Sequence, residues 1–190
     1  MLADALRCAP PGAVALVDGR RTISYGALPA LIEREIDWLR ESGAERHAML
    51  ADNGVPWALA DLALHVGRLL SVPLPGSFTS AQVAHALDDA GIDALLTDDE
   101  ALARELLPGW RLDGSSPVSG LHRFRRQLDL ASRAIAPADT RKITYTSGST
   151  SNPKGVCLSG PALEAIAESV AGATGALAIE RHLCILPLAT

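Results

Sequence analysis

Lys142-Ile143-Thr144-Tyr145-Thr146-Ser147-Gly148-Ser149-Thr150-Ser151-Asn152-Pro153-Lys154-Gly155-Val156 begins as a strand and turns abruptly into a run of small hydroxyl residues. Residues 142–146 are rich in β-branched and aromatic side chains, which suit a pleated, half-buried segment. Five of the six residues 146–151 carry hydroxyls, and Gly148 is the sixth. Small residues let the backbone curl until successive N–H groups point into one concavity, and such a nest binds anions. The hydroxyls add donors, and Lys154 adds a positive charge suited to a polyphosphate. Gly148 and Gly155 are expected to supply backbone angles that a side chain resists, and Pro153 to stiffen the approach to Lys154.

The same composition also suits a Ser/Gly-rich surface loop with no ligand. The order of the residues, and their position after a strand, favour the nest. Two other phosphate loops are excluded. Gly-Lys-Ser/Thr is lacking, because Pro153 precedes Lys154 and Gly155 follows it, and GxGxxG is absent.

Outward from this stretch, strands alternate with helices. Strands are expected at 14–17, returning at 21–23 after the Asp18-Gly19 turn, and at 47–51, 69–74 and 94–97. Helices are expected with Leu28, Leu31, Ile32, Ile36 and Leu39 on one face, over 57–66, and from a capping box of Thr79 and Gln82. Ser24 occupies an N-cap position, and Gly43 and Gly91 are stop signals. A helix over 100–107, loop over 108–120 with a short strand at 110–112, a helix over 161–174 and a strand at 183–188 complete the reading. Such alternation gives an α/β fold, a mainly parallel sheet with helices on both faces, in which ligands sit beyond the carboxyl ends of strands.

The bulk composition narrows the function. The chain has 190 residues, 48% of them hydrophobic and 21% charged, with a net charge of −5. No basic excess supports a nucleic-acid surface, and Arg123, Arg125 and Arg126 read as a solvated face. Cys8, Cys157 and Cys184 form neither a disulfide framework nor a zinc spacing, which fits a reducing cytoplasm. Neither a signal peptide nor an integral membrane segment is visible. Cys157 is expected to be a packed thiol, and Trp38, Trp57 and Trp110 core or core-edge residues. His65, His85 and His122 are scattered and read as structural or exposed, and His182 has no visible partner.

The stretch 145–156 resembles the phosphate-binding signature of the acyl-adenylate-forming (AMP-binding) superfamily: acyl-CoA synthetases, peptide-synthetase adenylation domains and luciferases. The family pattern is Tyr/Phe-Thr-Ser-Gly-Ser/Thr-Thr-Gly-x-Pro-Lys-Gly-Val. This chain matches at Tyr145, Thr146, Ser147, Gly148, Ser149, Thr150, Pro153, Lys154, Gly155 and Val156, and departs at Ser151, where the family has Gly. Residues 22–28, 47–75 and 185–188 are similar to further family segments, with Ala189 and Thr190 in the places of an aromatic-His pair.

The resemblance implies that residues 1–190 are the amino-terminal part of the large AMP-binding domain, without the rest of that domain and the small carboxy-terminal domain. It implies that a carboxylate, for which family abundance suggests a long-chain fatty acid, attacks ATP with Mg2+ bound. The acyl-AMP then passes to a thiol, either coenzyme A or the phosphopantetheine of an acyl carrier protein. The implied nucleotide-binding residues are Thr146, Ser147, Gly148, Ser149, Thr150, Ser151, Lys154 and Gly155, with Lys154 stabilising phosphate charge. The metal ligand and principal catalytic lysine come later in the family order, so this stretch alone is expected to be inactive. An adenylation domain loading a carrier protein and a non-catalytic binding module are the alternatives.

Overall fold

A computed structural model describes residues 9–128, 135–146, 152–175 and 181–189. The chain opens with a hairpin of β1 (Val14–Val17) and β2 (Thr22–Ser24), then α1 (Leu28–Glu41). Next come β3 (Arg46–Leu50), α2 (Val55–Val66), β4 (Leu70–Pro73), α3 (Ser80–Asp89), β5 (Ala94–Thr97) and α4 (Glu100–Leu106). The remaining elements are β6 (Arg111–Ser115), β7 (His122–Arg125), β8 (Thr140–Thr146), β9 (Lys154–Ser159) and α5 (Gly160–Gly175).

Seven strands form one sheet in the order β6-β7-β5-β3-β4-β8-β9. The central four, β5-β3-β4-β8, are mutually parallel; the antiparallel strands β7 and β6 extend one edge and the antiparallel strand β9 closes the other. Side chains alternate across a strand, so each face receives its own core. Met49 and Leu96 face α1 and α2, packing with Ile32, Leu39, Leu59 and Leu64. Ala48, Leu50 and Leu95 face the other way, toward Val83, Ala86 and Leu87 of α3 and Ala103 of α4. The helices therefore cover both faces, as the alternation of elements predicts.

Local signals behave as their chemistry requires. Thr79 accepts from the Gln82 backbone while the Gln82 side chain accepts from Thr79, completing the capping box. Gly43 follows α1 with φ +69°, a left-handed backbone that costs glycine least. Trp38 and Trp57 are buried. Ser24 does not cap α1 directly: the helix begins at Leu28, and the Ser24 hydroxyl accepts from Ala27 one turn earlier.

Further sequence expectations change. Two strands were hidden, β7 in the arginine run and β9 directly after the hydroxyl motif. The arginines are not a solvated face. Arg123 is buried, bonded to Asp113 at 2.8 Å and stacked on Trp38 at 4.2 Å, and Arg125 donates to the Ser42 carbonyl. Arg126 stacks on Trp110 and donates to Ile92 and Leu87 carbonyls. Arg123 and Arg125 alternate with Phe124 along β7, which lies between β6 and β5, and their stems cover apolar surface. Residues 183–188 form no strand, and Leu183 and Ile185 are exposed. Cys157 is exposed on β9 instead of packed. Among the described residues no helix is long and apolar enough to cross a membrane.

Candidate phosphate-binding site

The strand that leads into the hydroxyl run ends at a defined place. β8 is parallel to β4, with Ser71 opposite Lys142, so Thr146 ends β8 at the edge where β3, β4 and β5 also end. The motif therefore lies at the carboxyl edge, where ligands of such sheets bind. Ser147, Gly148, Ser149, Thr150 and Ser151 lie outside the described residues. The two residues that bracket them are cross-strand partners: Thr146 is opposite Lys154, and both are exposed. Opposite residues project on one face of a ladder, with Cβ atoms about 5 Å apart. Lys154 makes no ion pair among the described residues, so its charge is available to an incoming anion.

One face of α3 holds both ends of the motif. The Tyr145 hydroxyl donates to Asp89 Oδ2 at 2.7 Å and approaches the Ala86 carbonyl at 3.3 Å. Burial first, and the Asp89 carboxylate second, push the Tyr145 phenol well above its ordinary range, so it stays a donor. At the other end His85 Nε2 lies 3.1 Å from the Pro153 carbonyl. Beneath them, Gly155 sits opposite Tyr145. A Cβ there would lie 2.9 Å from Ile143 Cγ2 and 3.2 Å from Tyr145 Cζ. The glycine is thus required by space within a strand, not by an unusual backbone angle as the sequence suggests.

Neighbouring turns complete the edge. Asn53, just past β3, donates from Nδ2 to the Leu186 carbonyl at 2.7 Å and accepts from Leu188 N at 2.9 Å, seating 186–188 beside the sheet. Asp18 accepts from the Val55 amide at the start of α2 and from the Arg20 and Arg21 amides. These bonds, that of Val55 foremost, lower its carboxyl pKa. Lys142 on β8 crosses to Asp61 of α2 at 2.8 Å and lies 5.9 Å from the Trp57 ring centre.

Other candidates stand apart. His122 contacts Ser115 on the β6–β7 edge, and His182 is exposed. His65 lines a cleft of about 340 Å³ with Arg68, Asp139, Arg141 and Glu164, beside the opposite end of β8. Among the described residues no group of three His, Cys, Asp or Glu side chains could hold a metal ion. Thr190 lies outside the described residues. Sequence reasoning missed His85 as a partner of the motif, together with Asp89 and Asn53. They act across 68, 56 and 133 residues, and no local pattern marks such pairings.

The geometry has clear relatives. A 3-[(3aS,4S,7aS)-7a-methyl-1,5-dioxo-octahydro-1H-inden-4-yl]propanoyl:CoA ligase of Mycobacterium tuberculosis is 33% identical over 187 residues, covering 88% of this chain and 36% of the ligase. Malpinin synthetase of Mortierella alpina is 31% identical over 155 residues, 77% of this chain and 2% of that protein. This chain thus spans about a third of the ligase and a far smaller part of the synthetase. Among solved structures, o-succinylbenzoate CoA synthetase of Bacillus subtilis with ATP and magnesium shares the fold, with TM-score 0.68 and 20% identity. The match covers 98% of this chain and 50% of that one. Residues 3–190 match the family model described as "AMP-binding enzyme", and the chain belongs to that family.

Proposed function

We propose that this chain is the amino-terminal part of the large domain of an enzyme that activates a carboxylic acid with ATP and passes it to a thiol. The observation that carries this is the cross-strand pair Thr146 and Lys154 at the carboxyl edge, which brackets the hydroxyl run in the sequence. When bound, ATP with Mg2+ supplies an α-phosphate for the carboxylate and pyrophosphate as leaving group. Charge then develops on the β- and γ-phosphates. Thr146, Ser147, Ser149, Thr150 and Lys154 donate to that charge, and a fixed array of donors lowers such a barrier without reorganising. Ser151 completes the nucleotide-binding run, Gly148 shapes it, and Gly155 lets β9 pack against Tyr145. The adenine site, magnesium ligand and principal catalytic lysine fall to residues outside this chain, which by itself exchanges no pyrophosphate. The cysteine pattern suits a reducing cytoplasm.

Coenzyme A is the acceptor favoured by the identity shared with the Mycobacterium ligase. The likeness to malpinin synthetase keeps a carrier-protein arm as the second reading. The test uses the complete protein and acid-dependent exchange of pyrophosphate into ATP, over a panel of acids that includes long-chain fatty and polycyclic carboxylates. Thioester formation is then compared on coenzyme A and on a phosphopantetheinylated carrier. Lys154→Ala is expected to lower exchange about 100-fold. Unchanged exchange in that variant, or none with any acid in the wild type, overturns the reading.

A further inference from the structure

We propose that His85 is a positioning residue for the phosphate loop, tying its exit to α3; this rests on the function proposed above. His85 and Asp89 are four residues apart on one helix and share a face. Asp89 holds Tyr145 on the entry side, and His85 holds Pro153 on the exit side. Tyr145 and Pro153, which flank the hydroxyl run in the sequence, are therefore both held from one turn of one helix.

The chemistry of the contact is specific. A carbonyl oxygen only accepts, so His85 Nε2 must carry the proton, either as the Nε2–H tautomer or as imidazolium. Pro153 itself is buried and has no N–H, so the loop exit cannot be tied through that amide. Lys154 follows immediately, and its backbone starts β9 opposite Thr146. Fixing the Pro153 carbonyl orients the peptide that leads into Lys154. A Lys154 backbone held in place before ATP arrives gives up less freedom when the nucleotide binds, so the contact acts on nucleotide binding more than on turnover.

The experiment compares His85→Ala and His85→Gln in the complete protein. Gln places an amide donor near the Nε2 position. His85→Ala is expected to raise KM for ATP about fivefold, the worth of one neutral hydrogen bond, with kcat changed less than twofold and KM for the acid unchanged. His85→Gln is expected to restore KM for ATP to within twofold. A KM for ATP unmoved in both variants, or raised equally in both, overturns the proposal while leaving the proposed function intact. Absence of exchange in the wild type overturns both. A second readout needs no turnover: ring 15N spectra of this chain, which has five histidines, are expected to show protonated Nε2 at His85. An Nδ1–H tautomer there overturns the tether whatever the kinetics.

Discussion

The hydroxyl of Tyr145, on β8, donates to the carboxylate of Asp89, on α3, at 2.7 Å. The bond joins the last turn of a helix to the strand that delivers the phosphate motif, and it is partly buried. Tyr145→Phe is expected to lose about 1 kcal/mol of stability. Asp89→Ala should lose a similar amount, and the double variant less than the sum, because the two residues share one interaction. Urea midpoints of the four proteins check this; strict additivity would show the bond to be idle.

Gly155→Ala forces a methyl group to 2.9 Å from Ile143 Cγ2, a branch that cannot swing away freely. The expected loss is about 1–3 kcal/mol. Gly172→Ala, in α5 with nothing within 4 Å, is the control and should stabilise by about 0.5–1 kcal/mol through helix propensity. Melting temperatures of the two variants should move in opposite directions.

His47 is fully buried on β3, and neither ring nitrogen has a hydrogen-bond partner among the described residues. Burial lowers its pKa from 6.5 to about 4; Asp93 opposes the shift, and Arg123 and Arg125 add to it. The folded chain therefore holds fewer protons than the unfolded chain between those values, and stability rises with pH there. The contribution is complete above about pH 6.5 and is lost as pH falls toward 4, amounting to about 3 kcal/mol. His47→Gln should flatten this part of the stability curve measured by denaturant unfolding at pH 4.5 and 7. An unchanged slope would refute the assignment.

Lys142 and Asp61 pair at 2.8 Å between β8 and α2, with side chains 19% and 22% exposed. At that burial an unpaired charge is costly. Asp61→Asn is expected to cost about 1–3 kcal/mol, and Lys142→Met combined with Asp61→Leu to recover most of it. Unfolding by guanidinium chloride, whose salt screens exposed pairs, should leave the difference largely in place.

The alternation of strands and helices was legible because each element carries its own period. Ala94–Thr97 appears as expected, residue for residue, and the Thr79–Gln82 box caps α3. The strands β7 and β9 were not. Arg123 and Arg125 read as solvent-facing because local sequence does not reveal Trp38, Asp113 or the Ser42 carbonyl arriving from other elements. Gly155 carried the right residue for the wrong reason, since its neighbour Tyr145 is ten positions away in sequence and adjacent in space.

By itself the sequence determined the α/β class and the strand at 142–146 that runs into the hydroxyl residues. These follow from period, turn residues and side-chain type, all local properties. Tertiary structure alone decided that Lys154 returns opposite Thr146, that α3 holds Tyr145 and Pro153, and that Asn53 seats residues 186–188. Those contacts join residues distant in the chain, and only the packing of helices on a closed register of strands selects which of them meet.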